Sequence, residues 1–310
     1  MKKYKALGFI NGILASVSYG TNPLFAIPMY KLGMSVGSVL FYRYFFAFIL
    51  YGIGIIFFKK TSLKLSIKEA LCIAILAVLF ALSSITLFEA FRYLDSGIAC
   101  TILFIYPIIV MLFSTIYFKE KLTKTSIFAM LISIAGIFVL NGGIAGHLNL
   151  HGVILALVAA LMYALYIVLV KNLPAIKHIK NEKLSFYVMF FALWVFVVNL
   201  KFCTELQPIS DWRVLACALA LAIFPTIISI ETINVSIRLI GATITSILGA
   251  LEPLSAIFFG VIFFNEVLTF NRIIGIILVI LGVMLIILRN GFSCNKKSIF
   301  YSVLSLYFRR

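Results

Sequence analysis

The sequence predicts an all-α integral membrane protein in which ten transmembrane helices form two inverted five-helix repeats around a central cavity. Composition is the first reason: the 310 residues are 64% hydrophobic and 12% charged, with a mean hydropathy of +1.17. The apolar residues also fall into ten runs of helix length, and the second half of the chain repeats the first. Soluble domains have about 25% charged residues, so the bilayer is the expected solvent for this chain.

Ten runs approach the length of about 20 apolar residues that a helix needs to cross a bilayer. We predict helices at Ala6–Pro28, Ser35–Phe58, Glu69–Phe91, Ser96–Phe118, Thr125–Asn141, Leu150–Val170, Leu184–Phe202, Val214–Ile237, Ala242–Phe264 and Arg272–Leu288. The first run follows the basic segment MKKYK and imitates a signal peptide. Its apolar character continues to Ile27, so we expect it to be retained as a membrane helix.

The internal repeat is clearest from Arg92 to Thr123, which recurs about 146 residues later as the segment from Arg238 to Thr269. Without a gap, Arg92 aligns with Arg238, Ile98 with Ile244, Pro107 with Pro253, Glu120 with Glu266, Thr123 with Thr269 and Gly136 with Gly282. Gly8, Ala15 and Tyr19 likewise match Gly152, Ala159 and Tyr163. Chance does not readily place such different residue types in one register, so the chain is a tandem duplication.

This duplication divides the chain into a first repeat at 1–141, a short Gly-rich linker at 142–149, a second repeat at 150–289 and a tail at 290–310. The apolar run at 299–308 in the tail is too short to span a bilayer. We expect an interfacial helix there, and a disordered tail is the alternative.

Basic residues predict the orientation. One side of the ten predicted helices collects 20 Lys and Arg residues and the other side five, with Arg43 inside a helix. The positive-inside rule therefore places both termini in the cytoplasm. Because each repeat has an odd number of helices, the two repeats are predicted to be inverted relative to each other. Inverted repeats can expose one central site to the two sides in turn.

Glu252 is the first candidate site residue, because an ionisable group inside a membrane helix is costly and marks a functional position. It precedes Pro253 near the middle of the ninth helix, and proline frees a backbone carbonyl there. We consider it a candidate for binding a substrate amine or a proton. The equally favoured alternative is a protonated carboxyl group that satisfies the broken helix.

Arg43 and Glu231 are the other ionisable candidates. Arg43 could bind a substrate carboxylate, but the favoured alternative is structural, with the side chain reaching the outer interface or stacking on Tyr42 or Tyr44. Glu231 has no acidic counterpart in the first repeat, so it is a candidate for specificity. The alternative is that it pairs with Arg238.

Polar and aromatic residues beside predicted helix breaks are candidates for lining the central cavity, where broken helices meet. They are Tyr19, Asn22, Tyr106, Tyr163 and Tyr166. For any one tyrosine, packing or a place in the interfacial aromatic belt is the alternative. Tyr106 aligns with Glu252, which makes this position the main difference between the repeats.

Other residues at repeat positions are predicted to be structural. Pro23, Pro107 and Pro253 break helices, while Glu120 and Glu266 lie in charged turns that precede the predicted N-caps Thr123 and Thr269. Glu89 and Arg92 have the spacing of an ion pair on one helix face. The scattered cysteines and histidines lack metal-site spacing, and we predict no catalytic residue, metal or cofactor.

The two halves resemble EamA domains, as found in ten-helix members of the drug/metabolite transporter superfamily. The likeness rests on GTNP at Gly20–Pro23, Arg43, EAFRYLDSGIA at Glu89–Ala99, LEP at Leu251–Pro253, and the paired turns FKEKLT and FFNEVLT. This resemblance implies a secondary transporter in a bacterial inner membrane, often an exporter of amino acids or related metabolites.

We therefore expect alternating-access transport of a small metabolite, with a small-molecule substrate and the lipid bilayer as partners. No P-loop is present to hydrolyse ATP, which leaves a substrate gradient or proton exchange as the energy source. Scattered basic residues argue against nucleic-acid binding. The alternatives are a channel-like facilitator and an integral-membrane lipid-modifying enzyme, and the wide spacing of the ten acidic residues disfavours the enzyme.

Overall fold

The structure, a computed structural model, describes residues 2–59, 63–94, 96–119, 123–140, 149–264 and 269–289. Over these ranges the chain is helical and contains no strand. Its α-helices are α1 (Lys2–Tyr19), α2 (Asn22–Lys31), α3 (Val36–Gly54), α4 (Ile67–Ala90), α5 (Ser96–Leu103), α6 (Tyr106–Ile116), α7 (Lys124–Leu140), α8 (Leu150–Asn172), α9 (Asn181–Asn199), α10 (Trp212–Ala222), α11 (Ser229–Ile240), α12 (Ala242–Leu248), α13 (Leu251–Phe264) and α14 (Phe270–Arg289). Short π-helical turns occupy Ile55–Lys59 and Ile223–Ile228, and a 3₁₀ turn occupies Pro174–Ile176.

Helices occupy each of the ten predicted apolar segments. Among the described residues, six helical stretches are long and apolar enough to cross a bilayer: Val36–Phe57, Ile67–Ala90, Leu150–Asn172, Asn181–Asn199, Trp212–Ile240 and Ala242–Phe263. Three further apolar helices are shorter, at Tyr106–Ile116, Lys124–Val139 and Ile273–Leu288. Large apolar side chains such as Ile53, Leu71 and Phe258 are exposed on the outside of the bundle, as expected for faces that contact lipid.

Three of the predicted segments are broken near their middle. The breaks fall at residues 20–21 between α1 and α2, at 104–105 between α5 and α6, and at 249–250 between α12 and α13. Pro23, Pro107 and Pro253 each lie in the first turn of the following helix, two or three residues after the break. Proline is tolerated there because the first helical N–H groups have no intrahelical partner.

Polar residues cap several helices at the ends of the bundle. Ser66 and Glu69 form a capping box at the start of α4, and Asn149 accepts hydrogen bonds from the backbone N–H groups of His151 and Gly152 at the start of α8. The predicted cap Thr123 is confirmed, since its hydroxyl accepts from the Ser126 N–H at 3.3 Å. Glu120, Glu266, the tail and most of the linker lie outside the described residues.

Helices from the two halves of the chain pack in reciprocal pairs. α1 packs against α11, α4 packs against α8, and α7 packs against α14. Gly8 in α1 lies against Leu239 and Ile240, whereas its counterpart Gly152 in α8 lies against Tyr93 and Leu94. The residues that each glycine contacts occupy aligned positions in the repeated sequence.

The α7 and α14 helices show the same reciprocity at close range. Gly136 in α7 packs against Val279, and Gly282 in α14 packs against Ser133. A methyl group at either glycine would overlap with atoms of the partner helix. Small residues at such crossings let two backbones approach closely, which strengthens packing inside a membrane.

We predict that Gly282→Ala destabilises the protein by about 1–3 kcal/mol, because the added methyl group overpacks the crossing with α7. The measurement is the apparent unfolding midpoint in detergent, followed by tryptophan fluorescence. Gly54→Ala is the matched control, since no atom lies within 4 Å of a side chain built there. Equal midpoints for the two variants would contradict the close packing of α7 and α14.

Candidate functional site

A cavity of about 330 Å³ lies where the broken helices meet. Its wall consists mostly of apolar side chains from α2, α4 and α5, together with residues beside the breaks at α1–α2 and α12–α13. The side chains in this wall that carry polar atoms are Tyr19, Asn22, Tyr30, Cys100 and Glu252. The cavity therefore combines a large apolar surface with a few convergent polar groups, as small-molecule sites usually do.

Glu252 is the only charged side chain in the described lining of this cavity. It is the second residue of α13 and is 8% exposed. Among the described residues no hydrogen-bond donor or cation contacts its carboxylate. A carboxylate in the first turn gains from the positive end of the helix dipole, but burial without a direct partner is costly.

Three aromatic side chains, Tyr30, Phe88 and Phe91, separate this cavity from a larger vestibule of about 730 Å³, and we call them the aromatic collar. Phe88 lies against both others, with ring centroids 6.4 Å from Tyr30 and 5.7 Å from Phe91. Since the collar residues line both spaces, they are the contact point between the cavity and the vestibule.

The vestibule is polar, unlike the cavity. Glu89 and Arg92 form the predicted ion pair on its wall, with oxygen and nitrogen 3.2 Å apart. Gln207 lies at the edge of the vestibule, where its side chain links the segment after α9 to the turn before α3. Its side chain accepts from the Ser35 N–H at 2.5 Å and donates to the Gly33 carbonyl at 3.1 Å.

Tyr19 of the cavity wall belongs to a cluster of four tyrosines that we call the tyrosine floor: Tyr19, Tyr106, Tyr163 and Tyr166. Tyr163 lies at its centre, with ring centroids 6.4 Å from Tyr19, 4.8 Å from Tyr106 and 6.5 Å from Tyr166. Tyr106, Tyr163 and Tyr166 are at most 4% exposed. Of the four, only Tyr19 lines the cavity, and the other three are buried behind it.

Two hydrogen bonds hold the floor in place. The Tyr166 hydroxyl donates to the Asn234 side chain at 2.7 Å, and the Tyr106 hydroxyl donates to the Ser246 carbonyl at 3.2 Å. Gly249 lies directly against the Tyr106 hydroxyl, where any larger residue would collide with it. The floor therefore connects α8 to α11 within the second half, and α6 of the first half to α12 of the second half.

Arg43 lies behind the cavity wall and is fully buried. Its guanidinium donates to the Thr226 hydroxyl at 2.6 Å, to the Asn22 side chain at 2.9 Å and to the Pro225 carbonyl at 2.8 Å. Its Cζ atom also lies 5.7 Å from the ring centroid of Tyr19. Arg43 thus joins α3 to the break at α1–α2 and to the π turn between α10 and α11.

That π turn was not expected, since the sequence predicts an uninterrupted eighth helix. Pro225 lacks an N–H group, so it leaves the Leu221 carbonyl without its usual helical partner. The Thr226 hydroxyl donates to this carbonyl at 2.7 Å and accepts from Arg43. A hydroxyl thereby satisfies the backbone group that proline freed, as membrane helices require.

The location of Arg43 shows whether its side chain reaches the outer interface or stacks on neighbouring tyrosines. Because the side chain is fully buried, the interpretation in which it reaches the outer interface is wrong. Stacking on Tyr44 is confirmed, with Cζ 5.4 Å from the ring centroid. Tyr42 does not stack on the guanidinium; its hydroxyl donates to the Gln207 carbonyl at 2.8 Å.

Glu231 lies away from the cavity. Its carboxylate accepts from the Tyr51 hydroxyl at 2.6 Å, and its backbone carbonyl accepts from the Asn181 side chain at 3.0 Å. The alternative of pairing with Arg238 stays a prediction; the hydrogen bonds of the Arg238 guanidinium go to the carbonyls of Ile179 at 2.6 Å and Ile176 at 3.3 Å. Arg238 therefore connects the end of α11 to the turn after α8.

Comparison with known proteins shows the family of this chain. The profile of the EamA-like transporter family matches residues 6–142 and 150–288. The chain belongs to the EamA-like transporter family. It is therefore a multi-pass membrane transporter of the drug/metabolite transporter superfamily.

Relatives of this EamA protein extend over most of the chain. A protein named an uncharacterized transporter from Clostridium kluyveri is 25% identical over 308 residues, covering 94% of each chain. The uncharacterized transporter YcbK of Bacillus subtilis is 24% identical and covers 87% of this chain and 89% of its own. One crystal structure has a TM-score of 0.75 at 16% identity, covering 91% of this chain and 98% of the other, which shows a shared fold.

Of the candidate residues in this EamA chain, the structure brings Tyr19, Asn22 and Glu252 into the cavity wall, together with Pro23 and Pro253. Tyr106, Tyr163 and Tyr166 lie in the floor, while Arg43 and Glu231 lie outside the wall. A binding role for each remains a prediction. Sequence reasoning missed Tyr30, Thr226 and Pro225; only Pro225, in the middle of an apolar run, carried a visible signal.

We predict that Arg43→Lys lowers the stability of the EamA protein by about 1–3 kcal/mol, because one ammonium group cannot satisfy three buried acceptors in different directions. The measurement is the apparent unfolding midpoint in detergent. Arg92→Lys is the control, since that arginine is 66% exposed and its ion pair is screened by solvent. An equal drop in both variants would argue against the Arg43 network.

Proposed function

We propose that this EamA protein is a secondary transporter that moves a small metabolite by alternating access through the cavity at Glu252. One observation carries the proposal: the cavity adjoins the vestibule through the aromatic collar, whereas at Tyr19 it is backed by the buried tyrosine floor. A carrier needs a central site that is accessible from one side at a time. This conformation has the asymmetry expected of one such state.

Residues of the closed side occupy the same positions in the repeated sequence as residues of the open side. This correspondence supports two inverted repeats. In the repeat register, Ala26, Asn22 and Glu252 of the cavity wall align with Val170, Tyr166 and Tyr106. Val170 and the two tyrosines are buried. The reciprocal contacts of Gly8 and Gly152 support this register. If the repeats exchange conformations, the floor opens and the collar closes.

Contacts near the floor also join loops that belong to different halves of the chain. The Glu69 carboxylate lies 2.6 Å from the His178 ring nitrogen, and the Tyr187 hydroxyl donates to the Leu63 carbonyl at 2.6 Å. We propose that these bonds form the closed gate on this side and separate when the cavity opens there. Each is a single bond, and the His178 side chain is exposed, so little interaction energy opposes the opening of the gate.

The distribution of basic residues supports placing this closed gate on the cytoplasmic side, with the vestibule outside. In that orientation both termini are cytoplasmic and the protein lies in a bacterial inner or plasma membrane. Membership of the EamA family and the resemblance described above favour export of an amino acid or related metabolite. The energy source is the substrate gradient or exchange with protons.

Transport is tested with purified protein in liposomes by counterflow, in which an unlabelled internal solute drives uptake of the labelled solute. We expect saturable counterflow for at least one member of a panel of amino acids, nucleotides, sugars and cationic drugs. Absence of movement for the whole panel, under counterflow and under a proton gradient, would overturn the proposal. Unitary currents without counterflow would indicate a channel.

The two conformations are tested by labelling single cysteines at the aligned positions Ala26 and Val170 in a background without the five native cysteines. An impermeant thiol reagent should label the Ala26→Cys protein from the outside and the Val170→Cys protein from the cytoplasm. We predict that Tyr166→Phe raises labelling of Val170→Cys several-fold and lowers labelling of Ala26→Cys, because the bond to Asn234 is lost.

Tyr187→Phe and Tyr42→Phe serve as comparisons in this labelling experiment. Tyr187 bonds the Leu63 carbonyl on the floor side, and Tyr42 bonds the Gln207 carbonyl on the vestibule side. We expect Tyr187→Phe to act in the same direction as Tyr166→Phe, and Tyr42→Phe to act in the opposite direction. Parallel changes at both reporter cysteines would indicate general loosening and would contradict alternating access.

A further inference from the structure

The cavity contains an unpaired carboxyl group surrounded by aromatic rings. Glu252 is its only charged lining residue among those described, and it is more than nine-tenths buried. Five aromatic side chains line the same space: Tyr19, Tyr30, Phe88, Phe91 and Phe104. No lysine or arginine appears in the described lining, so no described residue of the wall supplies a cation to this carboxylate.

The one buried arginine near the cavity does not fill this role. All three guanidinium nitrogens of Arg43 donate to other groups, namely Thr226, Asn22 and the Pro225 carbonyl. Arg43 is also absent from the cavity lining. The positive charge is thus held behind the wall, while the negative charge of Glu252 lies in it.

An organic ammonium ion matches both features of this cavity. Its charge would pair with a carboxylate that otherwise lies buried without a partner. Its alkyl groups would contact apolar side chains, and aromatic ring faces attract such cations through their quadrupole. A neutral molecule of the same shape would gain only the apolar contacts, and an anion would be repelled by Glu252.

We propose that this cavity binds the ammonium group of a small amphipathic substrate, with Glu252 as its counter-ion and the aromatic wall around its apolar part. The volume of about 330 Å³ is near the lower end of the range for small-molecule sites, roughly 300–1,000 Å³. The substrate is therefore a compact molecule. This inference rests on the proposed transport function and names the chemical group that the site recognises.

The direct test compares cations with neutral molecules of nearly equal shape. We choose choline against 3,3-dimethylbutan-1-ol, and phenethylammonium against 2-phenylethanol, with sodium chloride to match the salt. Ligands that bind the folded state raise its unfolding midpoint, and at equal concentration the tighter ligand raises it more. We expect at least one cation to stabilise the purified protein in detergent more than its neutral partner does.

Glu252→Gln should abolish the preference for the cation, with a loss of affinity of about tenfold or more, because the buried counter-charge is removed. Glu231→Gln is the matched control. It neutralises an acid that also lies within a candidate membrane span, but that accepts from Tyr51 and lies outside the cavity wall. Affinity in the control should stay within about twofold of the unchanged protein.

A second pair of variants tests the aromatic wall and does not alter Glu252. Tyr30→Phe keeps a ring at the collar, whereas Tyr30→Leu removes it. We expect the cation to bind Tyr30→Phe as it binds the unchanged protein, and to bind Tyr30→Leu several-fold more weakly. Size-exclusion elution and helical content check that each variant is folded.

The outcomes separate this inference from the proposed function. If neither cation is preferred over its neutral partner, or if Glu231→Gln removes the preference as fully as Glu252→Gln, the inference is overturned even when counterflow is observed for another solute. If the cations bind through Glu252 but no solute moves in liposomes, the ammonium site stands and transport does not.

Discussion

The fold depends on a constraint imposed by lipid: a polar group inside a span must find its partner within the protein. The π turn at Pro225 shows how this works. Proline frees the Leu221 carbonyl, the Thr226 hydroxyl takes it, and Arg43 donates to that hydroxyl. Arg43 then extends the network to Asn22 at the broken first segment. One buried guanidinium therefore stabilises interrupted helices from both halves of the chain.

Glu252 stands in contrast to this rule. The Glu252 carboxylate has no hydrogen-bond partner among the described residues and faces an open space, and the Tyr30 hydroxyl in the same wall is also unpaired. Tyr106, at the aligned position, is fully satisfied by the Ser246 carbonyl. The two repeats thus share a break in the helix but differ in what the break presents: a closed hydrogen bond in one and an available charge in the other.

Most of the helices could be predicted from the sequence, because the residues that indicate a helix lie within it or beside it. Apolar runs, the prolines near three breaks and the cap at Thr123 could all be predicted from neighbouring residues. The residues of the cavity were harder to predict. Tyr19, Asn22 and Glu252 could be expected beside breaks, but Tyr30 lies a full helix away from the nearest break and gave no signal. Arg43 was recognised as unusual, although its partners at 225–226 are about 180 residues away in the chain.

By itself, the sequence determined that the chain is helical, apolar and duplicated, because composition, hydropathy and repeated residues are properties of the chain alone. Only the tertiary structure decided which members of each repeated pair line the cavity. Tyr19 and Tyr163 align and both lie in the floor, yet only Tyr19 also lines the cavity. Two similar halves can pack in two alternative arrangements, and long-range contacts, such as that between Tyr166 and Asn234, select one of them.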